Sequence, residues 1–171
     1  NHYFTHYDSI SFGIRQYTKS IHQGSYQGEL NCTFEPNSSQ LNYNRQSVAA
    51  VDSIQNIFTL LARVSYQSVE DLDAKWFPMN HEGVPHRARF LWAGTDEVEI
   101  EDVDITCDHY RLDIEKAKGK YVQVSPWDYF TDHVASSEAL RQIWVEQSGK
   151  RRISKATVSI YGMTVTAEVQ E

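Results

Sequence analysis

The sequence contains little cysteine, little basic charge and no long hydrophobic run, and each shortage excludes a class of protein. Two cysteines and four prolines occur among its 171 residues. No apolar stretch reaches the roughly 18 residues that a membrane-spanning helix needs, so we expect a chain that does not span a membrane. Acidic residues number 23 against 16 basic ones, and the net charge of -7 argues against nucleic-acid partners, whose phosphates are negative.

The two cysteines, Cys32 and Cys107, do not form a metal or redox motif, because no CxxC spacing occurs. Two interpretations stay open: a disulfide in an exported chain, or two small buried hydrophobic residues. The chain begins at Asn1 without a recognisable signal peptide, and we expect a processed or trimmed product.

Motifs with known catalytic or metal chemistry are also missing from the sequence. His81 and His86 lie five residues apart across a turn, which is a poor spacing for two ligands of one metal ion. There is no GxSxG nucleophile elbow and no glycine-rich phosphate loop. The acidic segment 96–108 lacks a calcium-loop pattern and is interpreted as a solvated face. The sequence therefore predicts no catalytic residue, no metal and no cofactor, and it favours a non-enzymatic protein.

The pattern that does recur is the period-two alternation of β-strands. Its clearest example is a C-terminal hairpin in which Tyr161-Gly162 forms a two-residue turn. In that register six apolar residues share one face, which we expect to pack against the interior: Ala156, Val158, Ile160, Met163, Val165 and Ala167. Many strands joined by short turns predict an antiparallel sheet.

One helix is predicted at about residues 52–64. Apolar residues recur there at helical spacing, and Asp52 precedes them as a candidate N-cap, with Gln55 in the capping-box position. The length suits a single domain over residues 1–171. We therefore expect a mainly β fold, either a curved antiparallel sheet or a partly open β-barrel, with one packed α-helix.

Aromatic residues and two arginines are the candidate binding residues. Tryptophans in predicted strands could line an apolar or sugar-binding cavity inside a curved sheet, and ordinary core packing is the alternative. Arg87 and Arg89 share the opposite strand face and could recognise a carboxylate or phosphate. The full set of candidates is Trp76, Arg87, Arg89, Trp92, Tyr110 and Trp144.

Three segments carry a family resemblance. Residues 51–63 look like a "D-hydrophobic-x-S-x-aromatic-x-x-R" helix, residues 103–112 are similar to a "G-T-F-D-C-Y-hydrophobic" strand, and residues 143–165 resemble a tryptophan-led ending. In this order they resemble the domain of unknown function 3108 family of exported bacterial proteins, over about residues 25–170. Asp104-Ile105-Thr106 departs from the Gly-Thr-Phe of that pattern. The resemblance implies a periplasmic or secreted β-rich domain and implies no catalytic residues.

Three functions follow as hypotheses. The first is a domain that holds a small apolar or amphiphilic ligand, and an enclosed apolar cavity would favour it. The second is an interaction or structural module of the cell envelope, which a solid core with an exposed patch would favour. The third is an enzyme acting on an envelope polysaccharide or lipid, which convergent Glu, His or Tyr side chains in a cleft would favour.

Overall fold

A computed structural model describes residues 1–44, 46–121, 123–124 and 128–169. Over these ranges the chain is mainly β, and its strands form two antiparallel sheets, neither of which closes into a barrel. The prediction of a mainly β antiparallel fold is therefore confirmed. None of the helices in these ranges is long and apolar enough to cross a membrane.

The N-terminal sheet has five strands in chain order, so each strand pairs with its neighbour in sequence. Its strands are β1 (His2–Tyr7), β2 (Ile14–Gln23), β3 (Tyr26–Glu35), β4 (Gln40–Tyr43) and β5 (Ser47–Ala49). Short turns make this arrangement possible, because adjacent antiparallel strands need only a tight connection. Every second residue is buried over residues 17–21 of β2 and residues 30–34 of β3, and the alternation of the sequence predicts the second of these runs.

The C-terminal sheet has six strands, and they too lie in chain order. They are β6 (Trp76–His81), β7 (Val84–Ile100), β8 (Val103–Lys116), β9 (Leu140–Glu146), β10 (Ile153–Ile160) and β11 (Met163–Glu168). The register of the last hairpin agrees with the prediction, since Ile160 pairs with Met163 and Val158 with Val165. The expected burial of all six apolar residues is wrong, because Met163 and Val165 are 58% and 68% exposed.

Helix α1 (Ile57–Tyr66) packs between the two sheets and contributes to both hydrophobic cores. Leu60 and Val64 pack in a cluster with Phe90 of the C-terminal sheet. Phe58 contacts this cluster and also the one that the N-terminal sheet builds. The helix is therefore the layer that joins the sheets.

The predicted start of α1 needs a correction. Asn56 caps the helix instead of Asp52, and it exchanges hydrogen bonds with Thr59 in a capping box at 2.9 and 3.1 Å. Gln55 is extended and lies beside β6, where its N–H donates to the Pro78 carbonyl at 3.0 Å. This bridge to the sheet holds residues 52–56 out of the helix.

Two shorter helices complete the fold: α2 (Val69–Leu72) and α3 (Tyr129–Ala135). Sequence patterns left residues 126–138 as a loop or one helical turn, and most of that stretch is α3, while residues 126 and 127 lie outside the described residues. The buried Arg141 guanidinium of β9 donates to carbonyl oxygens of Val134 and Ser136 at the end of α3. This contact docks α3 on the C-terminal sheet.

Candidate functional site

The tip of the β6–β7 hairpin is buried between the two sheets. Glu82 and Gly83 form its two-residue turn, and both have positive φ, of 49° and 94°. The Glu82 carbonyl accepts a hydrogen bond from the Val124 N–H at 2.9 Å, and the Asn80 side chain accepts one from Gly83 N–H at 2.8 Å. The Tyr43 hydroxyl of the N-terminal sheet also donates to Asn80, at 2.7 Å. The turn thus carries the Glu82 carboxylate into the interior.

Lys19 meets this carboxylate from the N-terminal sheet. Its ammonium group is fully buried and lies 2.5 Å from Glu82 Oε1 and 3.5 Å from Asp128 Oδ2. Asp128 is the N-cap of α3 and accepts hydrogen bonds from the Phe130 N–H and, at 2.8 Å, from the Thr131 hydroxyl. One lysine therefore joins strand β2, the hairpin tip and the start of α3.

His81 and Asp132 lie beside this lysine and complete the site. His81 Nε2 is 2.9 Å from Asp132 Oδ1, and the Gln123 amide donates to the same oxygen at 2.7 Å and to Glu82 Oε2 at 3.4 Å. The pair is close to solvent, with side chains 10% and 17% exposed. We call Lys19, His81, Glu82, Asp128 and Asp132 the ionic cluster.

The ionic cluster carries an excess of negative charge. Three carboxylates belong to it, those of Glu82, Asp128 and Asp132. Among the described lysines and arginines, Lys19 is the one that forms ion pairs with this set, through Glu82 and Asp128. Burial raises the pKa of Asp132, but hydrogen bonds from His81 and Gln123 outweigh that effect and leave the pKa below its usual value. The carboxyl group of Asp132 is therefore ionised at neutral pH.

Two tyrosines face the same carboxylates as hydrogen-bond donors. The Tyr3 hydroxyl donates to Asp128 at 3.1 Å, and the Tyr17 hydroxyl lies 3.4 Å from Glu82 Oε1. Burial and then the negative charge of Asp128 raise the pKa of Tyr3 to about 12, and burial with the Glu82 charge raises the pKa of Tyr17 further. Both hydroxyls stay protonated, so they support the carboxylates without acting as bases.

The space inside this region is small. A cavity of about 10 Å³ is lined in part by Tyr17, Tyr43, His81 and Glu82. A water molecule needs about this much volume when it is measured with a water-sized probe. The cavity therefore has room for one water or one ion, and it has no room for a lipid or a sugar.

Three of the predicted binding residues come together on the outer face of the C-terminal sheet. The guanidinium carbons of Arg87 and Arg89 lie 4.0 and 4.6 Å from the centre of the Trp76 ring. Arg87 pairs with Glu115 at 2.7 Å and Arg89 with Asp113 at 3.1 Å. Each arginine therefore has a carboxylate partner at the surface, and Asp113 also pairs with Arg111 at 2.7 Å.

The other three predicted binding residues lie elsewhere. Trp144 stacks on His109 at 4.4 Å, and its ring N–H donates to Asp96 at 2.9 Å. Tyr110 is fully buried in the core, and Trp92 is 45% exposed on the opposite strand face from Arg87. The six residues therefore do not line one cavity.

The cysteines are separate free thiols. Cys32 is buried in β3 of the N-terminal sheet, and Cys107 is buried in β8 of the C-terminal sheet. A disulfide between them, one of the two interpretations of the sequence, is not present, since both cysteines are free and their strands lie in different sheets. Burial raises the pKa of the Cys32 thiol to about 12, which keeps it unreactive.

Strand β11 forms an open edge of the C-terminal sheet. It pairs with β10 on one side and with none of the other described strands. All six of its residues are exposed, and Met163 and Val165 place apolar side chains on one face. Its one charged residue, Glu168, pairs with Lys155 at 2.8 Å. The strand has no proline, lysine or bulge, which are the usual means of protecting an edge.

The other sheet edges are better protected. Strand β6 contains Pro78, and the extended residue Gln55 covers its edge with two backbone hydrogen bonds. Strand β1 has a register shift between His6 and Tyr7, and β5 is three residues long. Among the described strands, β11 is therefore the edge with the least protection.

The sequence did not predict the ionic cluster, although the position of Lys19 is unusual for a charged residue. Lys19 shares strand parity with Tyr17 and Ile21, so a charged residue stands in an apolar row. No pattern in the sequence indicates Asp132, because it lies 51 residues from His81 along the chain and meets it only in the folded structure. Comparison with known protein families, with curated proteins and with solved structures finds no match for this chain.

Proposed function

We propose that this chain is a non-enzymatic interaction module that binds an extended segment of a partner protein by strand addition at β11. The observation that carries the proposal is the exposed β11 edge with its uncovered apolar residues Met163 and Val165. In strand addition, main-chain hydrogen bonds provide affinity and alternate side chains provide specificity. A free strand edge of this kind offers both.

The interior supports this choice over the other two hypotheses. A cavity of about 10 Å³ gives no support to an apolar or amphiphilic ligand held inside the fold. The convergent Glu82 and His81 side chains are buried at a hairpin tip, and the cavity that they line measures about 10 Å³, which is too small for a substrate and gives no support to catalysis. A solid interior with an exposed edge is what an interaction module needs.

The chemistry of the partner follows from β11 and from the whole chain. Apolar side chains at alternate positions of the added strand would pack beside Met163 and Val165. The net charge of -7 favours a segment flanked by basic residues over a second copy of this chain, because two copies repel each other. The resemblance to exported bacterial proteins supports a partner in the cell envelope, with this chain periplasmic or secreted.

The proposal can be tested with a photo-crosslinking residue placed at Thr166 in the full chain. We expect it to capture a partner segment, whose synthetic peptide then binds the purified chain and slows amide exchange across Met163–Glu168. Val165→Lys should weaken that peptide at least about tenfold, since it places a charge on the apolar face at the edge.

Ser47→Lys is the matched control, because it adds the same charge to the exposed edge strand β5 of the other sheet. It should bind the peptide as the unmodified chain does. Peptide binding that leaves the exchange of β11 unchanged, or dimerisation of the chain through β11 without any partner, would overturn the proposal.

A further inference from the structure

We propose that His81, Glu82 and Asp132 bind a divalent cation, and that Zn²⁺ is the ion their chemistry fits best. One imidazole nitrogen and two carboxylates form a donor set of the kind that zinc takes in proteins. One donor atom from each residue lies within 4.8 Å of the others. The site is independent of β11 and of strand addition.

Local geometry leaves the required atoms available. Glu82 uses Oε1 for Lys19, so Oε2 remains, with only the long 3.4 Å contact from Gln123. His81 Nε2 and Asp132 Oδ1 share a hydrogen bond of 2.9 Å, where a cation can take the place of the shared proton. A tetrahedral zinc site holds its donor atoms about 3.5 Å apart, so small side-chain rotations close the set.

Charge provides the second, separate reason. Three carboxylate side chains and one lysine give the ionic cluster a formal charge of -2 with a neutral imidazole at His81. Uncompensated charge in a buried site is strongly unfavourable. A divalent cation cancels this excess, whereas a protonated His81 cancels half of it.

Neighbouring groups hold the ligands in place and leave a path for the ion. Asp132 Oδ2 accepts a hydrogen bond from the Asp128 N–H at 3.2 Å, and Lys19 fixes the other oxygen of Glu82. Such supporting contacts orient metal ligands. The partly exposed His81 and Asp132 side chains face the solvent, from which a water molecule fills the fourth position. The bound ion ties the hairpin tip to α3.

The test is a titration of the purified full chain, first stripped with a chelator, with ZnCl₂ in a calorimeter. We expect one ion per chain, a raised melting temperature, and visible absorption typical of tetrahedral coordination when Co²⁺ replaces Zn²⁺. Asp132→Asn and His81→Gln should each weaken binding at least about tenfold, because losing a ligand costs at least as much as losing a supporting contact.

His109→Gln is the matched control, because His109 pairs with Asp96 at the same 2.9 Å distance. Among the described residues, this pair does not belong to a group of three side chains that could hold a metal ion. It should leave zinc affinity unchanged. The ¹⁵N shift of the His81 ring in the unmodified chain gives a readout that does not depend on how the variants fold. No saturable binding, no shift at His81, or equal affinity in Asp132→Asn would overturn the proposal.

Discussion

Lys19 lies on the buried face of β2, at a position where the alternating pattern of a strand favours an apolar side chain. Its neighbours of the same parity, Tyr17 and Ile21, are buried, and the fully buried ammonium group of Lys19 is held by Glu82 and Asp128. A buried ion pair is not strong evidence of net stability, but breaking one is costly because the remaining charge has no partner. The lysine is therefore a sensitive point for the whole site.

Lys19→Met should lower the free energy of unfolding by about 3–5 kcal/mol, since it leaves two buried carboxylates without their cation. Urea denaturation at neutral pH measures the change. Arg87→Met is the control, because the Arg87–Glu115 pair is about half exposed and such pairs contribute roughly 0–1 kcal/mol. Equal losses in the two variants would show that the ionic cluster is not the stabilising contact described here.

His86 adds a dependence on pH. Burial lowers the pKa of His86 to about 4 from its ordinary 6.5, although its hydrogen bond to the Val84 carbonyl acts in the other direction. Between pH 6.5 and pH 4, His86 therefore binds a proton in the unfolded chain but stays neutral in the folded chain. Stability contributed by this group is therefore present above pH 6.5 and is lost as the pH falls toward 4.

We expect the urea midpoint to fall between pH 7 and pH 5, and His86→Gln to remove part of that fall. His22→Gln, at an exposed histidine, should keep the full decrease of the unmodified chain. If the urea midpoint of His86→Gln falls with pH as steeply as that of His22→Gln, then His86 is not a source of the pH dependence.

At the scale of elements, periodicity predicted pairing better than burial. The C-terminal hairpin has the register that alternation and the Tyr161-Gly162 turn imply. Burial of Met163 and Val165 did not follow, because burial requires a covering layer, and the core around α1 reaches Val158 of β10 but no residue of β11. The helix start was displaced for a similar reason, since the bridge from Gln55 to β6 is a tertiary contact.

Another element-level feature is the close approach of β2 to the segment before α1. The Ile14 N–H donates to the Ile54 carbonyl at 2.8 Å, and a Cβ on Gly13 would lie 1.9 Å from the Asp52 carbonyl oxygen. The Asp52 backbone therefore leaves no room for a side chain at position 13, and the sequence pattern alone did not reveal this constraint.

Gly13→Ala should destabilise the chain by about 3 kcal/mol, because backbone must move to admit the methyl group. Gly24→Ala is the control: Gly24 has a φ of +62° with no atom near its added Cβ, so it should lose about 1–2 kcal/mol from backbone strain alone. Thermal or urea unfolding compares the two. A Gly13→Ala loss no larger than that of Gly24→Ala would contradict the close approach.

For the whole molecule, sequence patterns predicted the β class, the antiparallel pairing and one packed helix. They did not predict two sheets with α1 between them, because alternation identifies the buried face of a strand and not the layer that covers it. The ionic cluster was missed for the same reason: Lys19, the hairpin tip and α3 meet only when the sheets pack. The function proposed here rests on the opposite feature, a strand edge that packing leaves open.

Amide hydrogen exchange of the dilute, monomeric chain tests that open edge most directly. Alternate N–H groups of an antiparallel edge strand point away from its neighbour, so they lack a partner. We predict fast exchange at those groups of β11, while amides of the central strands β8 and β9 exchange slowly. Protection throughout β11 equal to that of β9 would show that the edge is already covered and would contradict strand addition there.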